Sequence, residues 1–75
     1  MKPKLADIWE WEIERWNDVV GDYVMDKIVI LILSTPTKDN DHWRFKGLEL
    51  DGPEAGVVEN WHMWDDPGSS WRQLA

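Results

Sequence analysis

A chain of 75 residues carrying fifteen acidic and eight basic side chains, for a formal net charge of −7, and no cysteine reads as one domain, 1–75, that has neither disulfides nor thiolate metal sites to hold it. So short a chain buries only about 60% of the surface its unfolded form exposes, which leaves little room for a deep enzymatic cleft. The acidic excess is even along the chain, four bases against seven acids in residues 1–33 and four against eight in residues 34–75. Phosphate backbones and anionic membranes are therefore repelled, and direct nucleic-acid binding is not expected; a protein partner with a basic surface is.

Seven tryptophans supply the mass for a core, since each buried aromatic removes about 150–250 Å² from water. The basic start Met1-Lys2-Pro3-Lys4 is not followed by the apolar run of a secretory signal. The longest unbroken apolar run, residues 28–33, is far short of the roughly 20 residues that cross a bilayer as a helix. The expectation is a cytoplasmic protein, in the host cytoplasm if a phage encodes it.

In chain order, the first third reads two ways. Trp9, Trp11 and Ile13 alternate with Glu10, Glu12 and Glu14 at the period of a strand. Leu5, Ile8, Trp9, Ile13, Trp16 and Val20 also share a helical stripe, with Gly21 placed as a stop. The alternation favours a strand over residues 7–13, then a loop or single helical turn through residues 16–21. Residues 24–33, rich in Val and Ile and closed by Ser34-Thr35-Pro36, predict a strand buried on both faces. Residues 37–41 read as a hairpin loop, and a strand follows from His42. Within it the apolar positions change parity, from Trp43 and Phe45 to Leu48 and Leu50. Either the strand changes its buried face or Gly47 marks a bulge, and the bulge is preferred. Asp51-Gly52-Pro53-Glu54 is a turn, a strand starts at about Gly56, Trp64-Asp65-Asp66-Pro67-Gly68 breaks it, and residues 70–74 form a short closing strand.

The predicted class is mainly β, a small five-stranded barrel or meander with at most a short N-terminal helix. The alternative is α+β, a helix packed on a three- to four-stranded antiparallel sheet. The order Asp7-Ile8-Trp9-Glu10-Trp11, a long apolar strand, Asp41-His42-Trp43-Arg44-Phe45, Leu48-Glu49-Leu50-Asp51-Gly52, Gly56-Val57-Val58 and Ser70-Trp71-Arg72-Gln73-Leu74 resembles the short SH3-like barrel proteins of bacteriophages and actinobacteria. The resemblance covers most of the chain. It implies an SH3-like fold and a phage origin, and carries no functional residues with it.

No chemistry-bearing constellation emerges. His62 with Asp65 and Asp66 matches no established ligand spacing, Asp39-Asn40-Asp41 lacks the length and terminal Glu of a calcium loop, and Ser34, Ser69 and Ser70 lie in no nucleophile elbow. No enzymatic activity, metal or cofactor is expected. Trp11, Trp43 and Trp61 are assigned to the core. Trp64 and Trp71, flanking Asp65-Asp66, are expected at the surface, where indole and carboxylate together suit Arg and Lys. Glu10, Glu12, Glu14 and Asp18, with Asp22, are expected to form an acidic face.

The functional expectation is a non-enzymatic protein-binding module, in its sharpest form a phage-encoded inhibitor that presents an acidic or DNA-mimicking face to a host protein. Two alternatives stand beside it. One is a structural or decorating component of a phage particle, with self-association as a homo-oligomer; the other is an aromatic groove for a small ligand or peptide.

Overall fold

The computed structural model describes residues 2–65 and 70–75. Six strands follow in order: β1 (Ile8–Asn17), β2 (Asp22–Ile32), β3 (Thr37–Asp39), β4 (His42–Asp51), β5 (Val58–Trp64) and β6 (Trp71–Gln73). The described residues contain no helix, and so none long and apolar enough to cross a membrane. The class is mainly β, and the helix-on-sheet alternative is set aside.

β1 therefore takes its strand reading and carries it beyond the expected end, through Asn17. The loop or helical turn expected over residues 16–21 shrinks to a turn at residues 18–21. The reason is the partner: β2 pairs with β1 in unbroken antiparallel register from Ile8 opposite Leu31 to Asn17 opposite Asp22. A helix would forgo that ladder and turn the Trp9–Trp11–Ile13 row away from the core.

All pairings are antiparallel. β2 lies between β1 and β4, β6 covers the other edge of β1, and β5 covers β4. β3 continues the line of β2 alongside β4, so what reads in sequence as a five-residue loop is a short strand and the Asn40-Asp41 turn. Asn40 there takes a positive φ of 57°, which Asn tolerates better than most residues.

The sheet curls into a half-barrel, and its concave face is the core. Trp9, Ile28, Ile30, Ile32, Phe45, Met63 and Trp71 are buried, with Trp11, Ile13, Trp43 and Trp61 packed against them. Directly opposed residues share a face, so Trp9 and Ile30, Trp11 and Ile28, and Phe45 and Trp61 line the interior in rows. The curl closes on aromatic contacts. Trp11 stacks on Trp71, centroids 5.5 Å apart at 10°, while Trp61 meets Trp11 and Trp71 edge-on at 6.0 and 6.2 Å.

Two expectations about β4 are corrected. Its buried face does not change: Phe45, Gly47 and Glu49 all point inward, and Leu50 is exposed. Nor is Gly47 a bulge, because β4 and β5 stay in register from His42 to Leu48. The irregularity lies further on, where Val29 pairs with Asp51 but Ile30 with Glu49, leaving Leu50 as the extra residue. Gly47 is glycine for want of space: a Cβ there would clash with Ile30 Cγ2 and lie 2.9 Å from Trp61 Cδ1.

β2 is covered less completely than its apolar run suggests. Ile28, Ile30 and Ile32 are buried, while Val29 and Leu31 on the convex face are half-buried.

Candidate interaction surface

β1 and β2 are longer than the barrel that flanks them. β6 pairs with β1 only at Trp9–Trp11, and β4 pairs with β2 only from Val29 to Ile32. Beyond these limits, and beyond the Glu12 N–H that bonds the Ser70 carbonyl at 3.1 Å, residues 13–17 and 22–26 pair with each other alone and form a two-stranded arm.

The turn of the arm is built locally. Asn17 Oδ1 accepts the backbone N–H groups of Val19 and Val20 at 2.9 and 3.0 Å, and its carbonyl accepts that of Gly21 at 2.8 Å. Gly21 sits at φ +73°, the left-handed region that glycine enters without steric cost. At the base, Arg15 Nε meets Asp26 at 2.7 Å.

The end of the arm is apolar. Trp16 and Tyr23 are directly opposed and touch edge to face at 5.3 Å, Met25 follows on the same face, and Val19 and Val20 cap the turn. All five are exposed, Trp16 by 52% and Val19 by 96%. Around them stand Glu14, opposite Met25, Asp18, which accepts the Trp16 indole N–H at 2.7 Å, and Asp22. The ensemble is a projecting hydrophobic patch rimmed by carboxylates.

The expected acidic residues divide. Glu10, Glu12 and Glu14 do share the convex face, as period two dictates, but their environments differ. Glu10 is buried, held by Arg72 Nη2 at 2.9 Å with Lys27 Nζ at 3.9 Å, which makes it a link between β1 and β6. Glu12 has Lys27 at 3.7 Å. Glu14 and Asp18 are exposed at the arm.

The second expected group is not brought to the first. Trp64 is exposed, but it lies opposite His42 at one end of β4, whereas β2 meets β4 at the other, five residues or about 17 Å along the strand. There it forms an aromatic corner, with His42 5.3 Å from both Trp64 and His62. Asp65 beside it is bonded by Lys38, and the bound ammonium lowers its pKa below the ordinary carboxylate value. Asp66 lies outside the described residues. The surface role expected of Trp71 is overturned: its indole is buried against Trp11 and Trp61, because β6 turns that side chain into the barrel opposite Trp11. Trp43 and Trp61 hold their expected places against the core, Trp43 with Lys38 Nζ 5.3 Å from its ring centroid.

The sequence pattern does not single out Trp16, Val19, Val20, Tyr23 and Met25 as a group, because it ends the first strand at Ile13 and sets residues 16–21 in a loop or single helical turn. The usable signal is Asn17 four residues before Gly21, which marks a hairpin turn and sets the apolar residues around it in paired strands rather than on a helix. Among the described residues no three His, Asp or Glu side chains converge as a metal site would require.

Fold and surface together define a small β half-barrel that projects a hydrophobic, acid-rimmed arm. No protein-family model matches the chain, and neither a curated protein nor a solved structure shows significant similarity to it.

Proposed function

We propose that this protein is a protein-binding module, which inserts the tip of the β1–β2 arm into an apolar groove on a partner whose surrounding surface is basic. The observation that carries the reading is the exposure of Trp16, Val19, Val20, Tyr23 and Met25 within ten residues of an arm that the barrel does not need. Two-stranded hairpins are marginal by themselves in water, and an aromatic pair left at the tip of one gains most by burial against another molecule. The rim of carboxylates would speed encounter with a basic surface and disfavour acidic ones.

The acidic residues act here as charge around a hydrophobic anchor. A phosphate-mimicking row would need Glu10 and Glu12 free, and Glu10 is buried in its pairing with Arg72. The strand order, with first and last strands adjacent, supports the SH3-like reading of the barrel. Inhibition of a host protein by a phage-encoded chain is the sharpest form of this activity, and the resemblance bears on the fold and the phage origin alone.

The test compares capture of partners by the wild-type protein and by a Trp16→Ser/Tyr23→Ser variant, in low and moderate salt. Both positions are exposed, so the variant keeps its melting temperature. A basic protein retained by the wild type, weakened by salt and lost with the variant supports the reading; equal retention by the variant overturns it. Recovery of this chain alone, as a stable oligomer that the variant also forms, would favour a structural role.

A further inference from the structure

The chain leaves β4 and returns to it between β2 and β3: β2 pairs with β4 no further than Gly47, and β3 resumes at Arg44. A cavity of about 300 Å³ opens at this break, the small end of the range for ligand sites. Its walls are unlike the rest of the molecule. Ser34, Thr35 and Thr37 supply hydroxyls and Arg44 and Lys46 supply positive charge. None of the described residues lining it is acidic, in a chain where acids outnumber bases fifteen to eight.

The strand register explains the convergence. Thr37, Arg44 and His62 are directly opposed across β3, β4 and β5, and so leave one face of the sheet in a row; Lys46 and Asn60 form the next. Ser34 Oγ accepts the Lys46 backbone N–H at 2.8 Å, which fixes the hydroxyl and leaves its own proton to donate. Arg44 gives Nη1 to Asp39 at 3.3 Å, and the remainder of its five-donor fork is available to a ligand.

We propose that this cavity binds a small tetrahedral oxyanion, the phosphate group of a small-molecule phosphomonoester. Hydroxyls from the β2–β3 connection, two cations from β4 and the amide and imidazole of β5 approach from different strands. That spread suits an anion with three free oxygens better than a planar carboxylate, which presents two in one plane. The site stands apart from the arm and does not depend on its role.

Inorganic phosphate is the probe, added at constant ionic strength to the isotope-labelled full chain while backbone amide shifts are followed. Saturable shifts confined to residues 34–37, 44–46 and 60–62 are expected. Arg44→Gln and Lys46→Gln should each weaken saturation by about tenfold, as loss of a charge-assisted contact does, while Lys2→Gln leaves it unchanged. Shifts that do not saturate, or that survive in the Arg44→Gln/Lys46→Gln protein, overturn the proposal. Acetate saturating the same amides at lower concentration than phosphate overturns the tetrahedral assignment. All three side chains are exposed, so the variants keep the fold and a negative result is interpretable.

Discussion

The indole of Trp61 lies directly over the bare backbone of Gly47, with Cδ1 2.9 Å and Nε1 3.4 Å from where a Cβ would stand. Ile30 closes the same space from β2, so β2, β4 and β5 meet at a point where only a hydrogen fits. Gly47→Ala should therefore destabilise the domain by about 1–3 kcal/mol through overpacking, although alanine is the smallest possible addition. Urea unfolding followed by Trp fluorescence measures it. A variant as stable as the wild type would mean that Trp61 can move aside freely.

Trp71 and Trp64 should separate sharply on truncation. Trp71 is buried between Trp11 and Trp61 and is what β6 contributes to the core, so Trp71→Ala should cost about 3–5 kcal/mol, a large share of the stability of a small domain. Trp64 is half exposed on the convex face, and Trp64→Ala should stay within about 0.5 kcal/mol. Equal effects of the two substitutions on the thermal midpoint would contradict the orientation of β6.

The arm should open well before the barrel. Residues 14–25 pair only within the hairpin, while Ile28, Ile30 and Ile32 run between two neighbouring strands or beneath the core. Amide exchange should thus be fastest at residues 14–25 and slowest at residues 28–32. Asn17→Ala, which removes the acceptor for two turn amides, should raise exchange in the arm about fivefold or more, the effect of losing roughly 1 kcal/mol, and leave residues 28–32 unchanged. Uniform exchange along β1 and β2 would show that the arm is not a separate unit.

Two carboxylates, Glu59 and Asp65, should tilt the pH profile in opposite directions. Glu59 has its pKa raised from 4.5 by a hydrogen bond with Glu54, by that neighbour's charge, by partial desolvation and by the charge of Glu49. The folded protein keeps a proton there that the unfolded chain has released, so this contribution to stability declines as pH climbs above that value. Asp65 has its pKa lowered from 3.8, first by the hydrogen bond from Lys38; its contribution is present above that value and is lost as pH falls through the lowered one. Urea midpoints against pH should show Glu59→Gln removing the decline that begins above 4.5 and Asp65→Asn flattening the loss below 3.8. Variant profiles parallel to the wild type would refute both assignments.

The sequence by itself determined the β class and most of the turns, whereas β3 and the extension of β1 through Asn17 came from pairing with β4 and β2. Alternating Trp and Glu in residues 9–14, β-branched residues in 24–32 and the Gly, Pro, Asn and Asp clusters between them act locally, through backbone preference and the period of two, and need no distant partner to be read. It also placed Trp11, Trp43 and Trp61 inward, since their flanking residues alternate. Only the tertiary structure decided which surplus stayed outside. The apolar residues at positions 16–25 look no different in sequence from those of the core; they are exposed because the register puts Trp16, Tyr23 and Met25 on the convex face with Glu14 and leaves Val19 and Val20 in the turn. Trp71 is inside for the converse reason, since a three-residue strand has its face set by the neighbour it pairs with, here Trp11. The cation-lined cavity likewise arises from pairing, because Thr37, Arg44 and His62 are distant in the chain and become neighbours only through the register of three strands. Net charge, a sum over the chain, could not reveal a local excess that depends on which side chains share a face.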